Sequence, residues 1–178
     1  MSSLYGKIFQ MAYVVPDAMA AVDLWTSKMG VGPFFTFPLP LQFEGLKVRG
    51  EPIPGDADIF GAVAVGYSGD MMIEFIQPGS VRTTYTEFLE SGQKGLHHIG
   101  TFVDDYDAVM ADAERRGVDV LLQGELPMSK FAYLDTASEN ALTPIVEIVQ
   151  PFQPMLDTFA MIKQAAADWD GVTKTISL

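Results

Sequence analysis

The sequence predicts an α+β fold built from two copies of one strand–helix–three-strand (βαβββ) unit, closed by a C-terminal helix. Three observations carry that expectation. A strand running into a helix cap occurs twice, at residues 8–17 (IFQMAYVVPD) and 96–105 (LHHIGTFVDD). Two apolar strands end in nearly the same words, Ile73-Glu74-Phe75-Ile76-Gln77-Pro78 and Val146-Glu147-Ile148-Val149-Gln150-Pro151. Between cap and ending, each half holds one segment of helical period and further extended segments, and such self-similarity marks an internally repeated architecture.

In the first half, the buried strand ends at Pro16 and Asp17 caps a helix. Val22, Trp25 and Met29 recur at i, i+3 and i+7, and Gly30 stands where a left-handed residue stops the helix. Extended segments follow at 61–67 and 71–77. The second half repeats this order. Tyr106, Val109, Met110 and Ala113 form the apolar stripe, Arg115 and Arg116 occupy the last turn, and Gly117 is the stop. Its strands are expected at 118–123, 131–135 and 144–150.

Aligning Asp17 with Asp105 sets Gln10 opposite His98. From there 64 residues lead to Glu74 in the first half and 49 lead to Glu147 in the second, so the first half carries about 15 more. These fall between Phe34 and Phe60, a stretch rich in Pro, Gly and aromatics that reads as a long loop, a lid or substrate wall. After Pro151, Phe159, Ile162, Ala166 and Trp169 lie at i, i+3, i+7 and i+10, which predicts an amphipathic helix over about 155–170, ended by Gly171. Its stripe must cover the body of its own chain or a partner subunit. The expected organisation is one domain over 1–178, with modules at about 7–80 and 95–151.

Composition narrows the chemistry. With 48% apolar and 19% charged residues the chain can bury a large core. The 11 basic residues are scattered against 23 acidic ones, a net charge of −12, which argues against nucleic acid as a partner. Cysteine is absent, so disulfides, thiolate nucleophiles and Cys-containing metal sites are excluded. The only histidines are His97 and His98. The segment 1–9 lacks the apolar core of a secretory signal, and no apolar run approaches the ~20 residues that span a bilayer. A cytoplasmic protein with no membrane partner is expected.

Four positions then stand out: Gln10, Glu74, His98 and Glu147, from the first and last strands of each half. Alternation along a strand puts Gln10 on one face with Ala12 and Val14, and His98 with Gly100 and Phe102. If the halves pack about a pseudo-twofold axis, the four converge. An imidazole, an amide oxygen and two carboxylates suit a divalent cation such as zinc, nickel, cobalt or manganese. Singly, each has a plainer reading, as an edge glutamate or a satisfied core histidine; the repeat-equivalent pairing favours the joint one, because buried charges need partners. Alternation sets His97 on the opposite face. No phosphate-cradling glycine loop or nucleophile elbow is present. Lys28, Lys47, Arg49, Arg82, Lys94 and Lys130 read as solvated surface, with an anion grip as the alternative, and the ten methionines read as core filler.

With these motifs the chain resembles the vicinal oxygen chelate superfamily, which includes glyoxalase I, methylmalonyl-CoA epimerase, the extradiol dioxygenases and antibiotic-sequestering proteins. The resemblance spans roughly residues 7–151 and rests on the paired halves, on Gly95-Leu96-His97-His98-Ile99 followed by Asp104-Asp105, and on the Glu-x-x-Gln-Pro endings. It implies that each half curls into a partial barrel and that a divalent metal ion sits in the cleft on Gln10, Glu74, His98 and Glu147. The set Gln, Glu, His, Glu is most similar to that of glyoxalase I, in which the last Glu leaves the metal to act as base. Glu147 would take that catalytic role, with Glu74 a second acid/base or a fixed ligand. Epimerases of the family carry His first and Gln second, and the dioxygenases need His where Gln10 stands. The Arg and Asn that help hold glutathione in eukaryotic-type glyoxalase I are Val14 and Pro78 here, which implies a substrate not linked to glutathione. The resemblance thus implies a metal-dependent lyase or isomerase, similar to glyoxalase I, that abstracts a proton next to a carbonyl and stabilises the resulting enediolate or enolate. Alternatives are an acyl-CoA epimerase like methylmalonyl-CoA epimerase and a metal-free, antibiotic-sequestering binder. A homodimer acting on a small-molecule substrate is expected.

Overall fold

Two aspartates start the two repeat helices in the same way. From extended backbone, Asp17 accepts from the Ala20 N–H and Asp105 from the Ala108 N–H, both at 2.9 Å, satisfying a donor that the first turn would leave orphaned. A glutamine completes each cap. Gln77 Oε1 accepts from the Ala18 N–H at 3.2 Å, and Gln150 Oε1 from the Tyr106 N–H at 3.0 Å. The Gln of each Glu-x-x-Gln-Pro ending therefore ties the last strand of a half to the start of that half's helix.

A computed structural model describes residues 5–136 and 144–178. Its elements are β1 (Lys7–Val14), α1 (Ala18–Leu24), β2 (Phe34–Thr36), β3 (Glu44–Val48), β4 (Glu51–Pro52), β5 (Phe60–Ser68), β6 (Met71–Pro78), α2 (Thr84–Glu90), β7 (Leu96–Phe102), α3 (Tyr106–Arg115), β8 (Val120–Leu126), β9 (Ser129–Leu134), β10 (Ile145–Pro151), α4 (Gln153–Ala167) and β11 (Thr175–Ser177). The βαβββ order is met twice, as β1-α1-β2-β5-β6 and as β7-α3-β8-β9-β10. All strands join one mixed sheet in the order β11-β2-β5-β6-β1-β7-β10-β9-β8-β3-β4. Within each half the first and last strands run parallel, β1 beside β6 and β7 beside β10, while β1 and β7 pair antiparallel and join the halves.

Alternation divides the core between two faces. Ala18 and Val22 of α1 pack on Phe34, Ile73 and Phe75, and Ala113 of α3 packs with Ala132, Leu134 and Ile148. The other face carries Val14, Ile76, Tyr133 and Val149 in one cluster and Val65 and Met72 in another. Phe159 and Ile162 of α4 are buried in the second of these, against Phe35 and Val63. The tail stripe thus covers its own chain.

Several boundaries differ from expectation for local reasons. The first helix turns π-helical over Trp25–Met29, where Thr26 donates to the Val22 carbonyl at 2.9 Å and Ser27 to the Asp23 carbonyl at 2.6 Å, competing with the ordinary ladder. Gly30 then takes the left-handed conformation at φ 66°. Residue 118 belongs to a helix end rather than a strand, because the Val118 N–H donates to the Ala113 carbonyl at 3.0 Å beyond left-handed Gly117. The tail helix starts at Gln153, with Pro154 in its first turn, and ends at Ala167, ahead of Gly171.

The stretch between Phe34 and Phe60 is not a plain loop. It contributes β2 to its own half, then crosses to the other half, where β3 pairs antiparallel with β8 and β4 folds back on β3. The extra residues of the first module therefore form the outer edge of the second.

Candidate active site

Strand register sets the four candidate residues in two adjacent rows across β6, β1, β7 and β10. Glu74, Ala12, His98 and Ile145 are neighbours in one row; Met72, Gln10, Gly100 and Glu147 are neighbours in the next. A small residue separates the polar pair in each row. Ala12 stands between Glu74 and His98, and its repeat-equivalent Gly100 stands between Gln10 and Glu147. With no bulk between them, side chains from non-adjacent strands can lean together.

They do so at His98, which is wholly buried. His98 Nε2 lies 3.5 Å from Glu74 Oε2 and 3.6 Å from Glu147 Oε2, with the Tyr133 hydroxyl at 3.5 Å. Burial alone would strip a proton from His98, but the Glu147 and Glu74 carboxylates outweigh it and hold the imidazole up to about 9. Burial pushes the Glu74 carboxyl up; His98 opposes that shift, and Glu147 adds to it. Gln10, also buried, donates from Nε2 to Met72 Sδ at 3.5 Å, and its Oε1 has no hydrogen-bond partner.

His97 does not follow the expected alternation. Between Ala12/Tyr13 and His98/Leu96 the ladder slips by one residue, a β-bulge at His97 that rotates its side chain off the regular pleat. His97 Nδ1 lies 2.9 Å from His98 Nδ1, and His97 Nε2 lies 3.1 Å from Thr84 Oγ1. Burial, with the charge on His98, pushes His97 down to about 3, so it stays neutral. His98 Nδ1–H is then the donor and His97 Nδ1 the acceptor, while His97 Nε2–H donates to Thr84. This relay leaves His98 Nε2 facing the carboxylates.

Gln10, Glu74 and Glu147 line a cavity of about 100 Å³. Its other walls are almost wholly apolar. Phe37, Leu41, Phe43 and Phe60 come from the crossing segment or its end, Met155 and Phe159 from α4, and Leu126, Met128 and Phe131 from the β8–β9 hairpin. Tyr85 of α2 and Tyr133 of β9 also line it; the sequence reading missed both, since neither lies in the repeated strand endings. No Lys or Arg is among the lining residues. Of the basic residues considered for an anion grip, Arg49 pairs with Glu87 at 2.8 Å, Arg82 with Glu87 and Glu90, and Lys130 with Glu125. Met72, Met128 and Met155 are not mere filler: the first holds Gln10 and the other two wall the cavity.

The donor set fits a divalent cation. Among the described residues no three His, Asp or Glu side chains already stand in ligating geometry. Yet donors bound tetrahedrally at ~2.1 Å lie about 3.4 Å apart, close to the 3.5 and 3.6 Å separations at His98. Two carboxylates facing one imidazole favour positive charge between them, and Gln10, whose Oε1 is without a partner, lines the same cavity as the two carboxylates.

Comparison with known proteins agrees with the fold. Residues 9–133 match the family model of the glyoxalase/bleomycin resistance protein/dioxygenase superfamily, and the chain belongs to that superfamily. No curated protein matches its sequence significantly. A hypothetical protein from Bacillus halodurans C-125 superposes with a TM-score of 0.60 at 16% identity, over 83% of this chain and 95% of that one. A Streptomyces coelicolor methylmalonyl-CoA epimerase in complex with 2-nitronate-propionyl-CoA gives 0.57 at 20% identity, over 84% and 96%. The methylmalonyl-CoA epimerase from Mycobacterium tuberculosis gives 0.58 at 17% identity, over 88% and 95%. No helix of the described residues is long and apolar enough to cross a membrane.

Proposed function

We propose that this protein is a metal-dependent lyase or isomerase that removes a proton next to a carbonyl of a neutral, largely apolar small molecule. The observation that carries the reading is the approach of two repeat-equivalent carboxylates, Glu74 and Glu147, to one imidazole nitrogen at 3.5 and 3.6 Å. Gln10, Glu74, His98 and Glu147 would hold a zinc, nickel, cobalt or manganese ion, whose chemistry when bound is Lewis-acid stabilisation of the enolate or enediolate charge. His98 is kept in register by His97 and Thr84. Glu147 is the base that takes the proton, and Glu74, on the opposite side of His98, is a ligand or returns a proton from its own side. The apolar walls exclude water, so a carboxylate in the cavity is more basic than one in solvent.

The lining also bears on substrate class. Glu74 and Glu147 are its only charged residues and no Lys or Arg joins them, so an anionic group away from the metal and His98 would find no cation to grip it. This favours a neutral reacting portion and agrees with Val14 and Pro78 in place of a glutathione grip. A second reading, an acyl-CoA epimerase, is favoured by the placement of Glu74 and Glu147 on either side of His98, since epimerisation needs an acid and a base on opposite faces. A metal-free binder would use the convergent carboxylates only to pair with His98. The same reading takes 1–178 as one domain, its modules at about 7–80 and 95–151 sharing a sheet. A homodimer rests on the family resemblance alone, because α4 packs on its own chain, and a cytoplasmic location rests on the sequence reading.

Elemental analysis of protein purified without added metal, followed by solvent-deuterium exchange into a panel of neutral ketones, α-hydroxyketones and thioesters, tests the reading. One divalent ion per chain that is lost in His98→Ala, with exchange abolished in Glu147→Gln while the ion is retained, is the expected result. Exchange at the wild-type rate in Glu147→Gln removes the base assignment, and no uptake of any of the four metals removes the metal. Inversion without net isomerisation selects the epimerase.

A further inference from the structure

Among the described residues, two buried side-chain oxygens lack a hydrogen-bond partner: Gln10 Oε1 and the Tyr85 hydroxyl. Both residues line the same cavity. A cation on the quartet accounts for Gln10 and leaves Tyr85 unexplained. Tyr85 is wholly buried, and a buried hydroxyl without a partner is unfavourable. Packing does not require it. The ring sits 5.5 Å from Phe60, 5.5 Å from His97 and 5.7 Å edge-on to Tyr133, and each of these contacts would serve phenylalanine equally. The Tyr133 hydroxyl approaches the Tyr85 oxygen as a donor, beyond full hydrogen-bond geometry, which leaves the Tyr85 proton without an acceptor.

We propose that Tyr85 is a substrate-binding residue whose hydroxyl donates to a carbonyl or ether oxygen of a neutral ligand with an apolar body. The proposal deepens the function proposed above and rests on it for the identity of the reacting carbonyl, though not for the presence of a ligand. Tyr85 is held for this role by α2, where Thr83 and Thr86 form a reciprocal cap and Tyr85 N–H donates to Thr83 Oγ1 at 3.3 Å. Ring neighbours on three sides keep the hydroxyl in place, so little ordering is needed on binding. Burial holds the hydroxyl far above the ordinary tyrosine range, with Glu147 and Glu74 adding to the effect, so it acts as a donor and not as a base. Glu74 and Glu147 can only accept when ionised, and a carbonyl oxygen can only accept. Tyr85 therefore supplies a neutral donor to a cavity whose charged groups are both acceptors.

The test compares wild type with Tyr85→Phe, using acetophenone and ethylbenzene as a matched pair that differs in the carbonyl oxygen. Dissociation constants are measured by NMR titration on the full chain, both metal-free and zinc-loaded, and ligand-free melting temperatures are recorded. Expected are tighter binding of acetophenone than of ethylbenzene by wild type, a roughly tenfold loss for acetophenone alone in Tyr85→Phe, and a melting temperature at or above that of wild type. Equal acetophenone affinity in the two proteins overturns the proposal. So does a parallel loss for both ligands, a lower melting temperature in the variant, or a wild type that does not prefer the carbonyl. Zinc that fails to bind while Tyr85→Phe still weakens acetophenone would sink the metal reading and leave Tyr85 in its role.

Discussion

Gly100 lies directly beneath the Gln10 side chain: a Cβ built there would stand 2.4 Å from Gln10 Oε1, 3.0 Å from Gln10 Cβ and 3.1 Å from Phe9 Cε1. Its backbone does not need glycine's left-handed freedom, so the requirement is for space. Gly100 also separates Gln10 from Glu147 in their row, and a methyl there would push Gln10 out of position.

Gly100→Ala is therefore expected to destabilise the protein by roughly 1–3 kcal/mol through overpacking and to weaken divalent-metal binding. Gln10→Ala in the same chain removes the shortest of these contacts, the one to Oε1, while keeping Cβ, so the double variant should melt above the sum of the two single effects. Thermal melts of the four proteins check this; a Gly100→Ala protein that melts with wild type contradicts it.

His97 touches the quartet only through His98. Replacing it with Phe removes the acceptor for His98 Nδ1–H, leaves that donor buried, and frees the ring to choose another orientation. Metal affinity measured by competition with a chelator should fall about 10–100-fold. His97→Asn, which can keep an acceptor near the same place, should recover part of the loss. Thr84→Val should shift affinity in the same direction by less, since it removes only the outer end of the relay.

The repeat was legible because both halves use the same caps and endings at fixed spacing, and that spacing names Gln10, Glu74, His98 and Glu147 without any coordinates. His97 was hidden by a one-residue slip in the ladder, which a strict two-residue alternation cannot represent. Gln77 and Gln150 were visible as repeated letters, but their use as helix caps depends on the last strand lying beside the first. Tyr85 could not be found by periodicity, because α2 belongs to neither repeat and only packing turns it toward the cavity. The crossing of β3 to β8 was equally hidden, since residues 44–48 carry no signal for a partner some 75 residues further on.

Acid should loosen the segment that returns from this crossing. Asp58 accepts from Ser80 N–H at 3.0 Å and from Ser80 Oγ at 2.8 Å, and these bonds hold its carboxyl below the ordinary aspartate range. A depressed native pKa contributes stability above the unfolded-state value that is lost as pH falls through the native one. Asp58→Asn should thus lower the urea midpoint near neutrality, with the gap from wild type closing below the aspartate range. A gap that is constant with pH would assign the effect to the Asn amide instead.

Phe43 joins the halves across the cavity wall. It comes from the crossing segment and packs 6.3 Å from Phe60 and 5.8 Å edge-on to Phe131 of β9, while β3 beside it pairs with β8. Phe43→Ala should cost about 3–5 kcal/mol and breach the wall. Leu46→Ala is the control: Leu46 is buried in the same cluster and does not line the cavity, and its loss should cost about 2–5 kcal/mol. Amide exchange should quicken across the β3–β8 pairing in both variants, while β1 and β7 at the sheet centre stay protected, because opening follows local rather than global stability. Only Phe43→Ala should also change ligand selection, admitting propiophenone or butyrophenone relative to acetophenone better than wild type does. If Leu46→Ala relaxes selection equally, stability of the crossing rather than the Phe43 ring shapes the cavity.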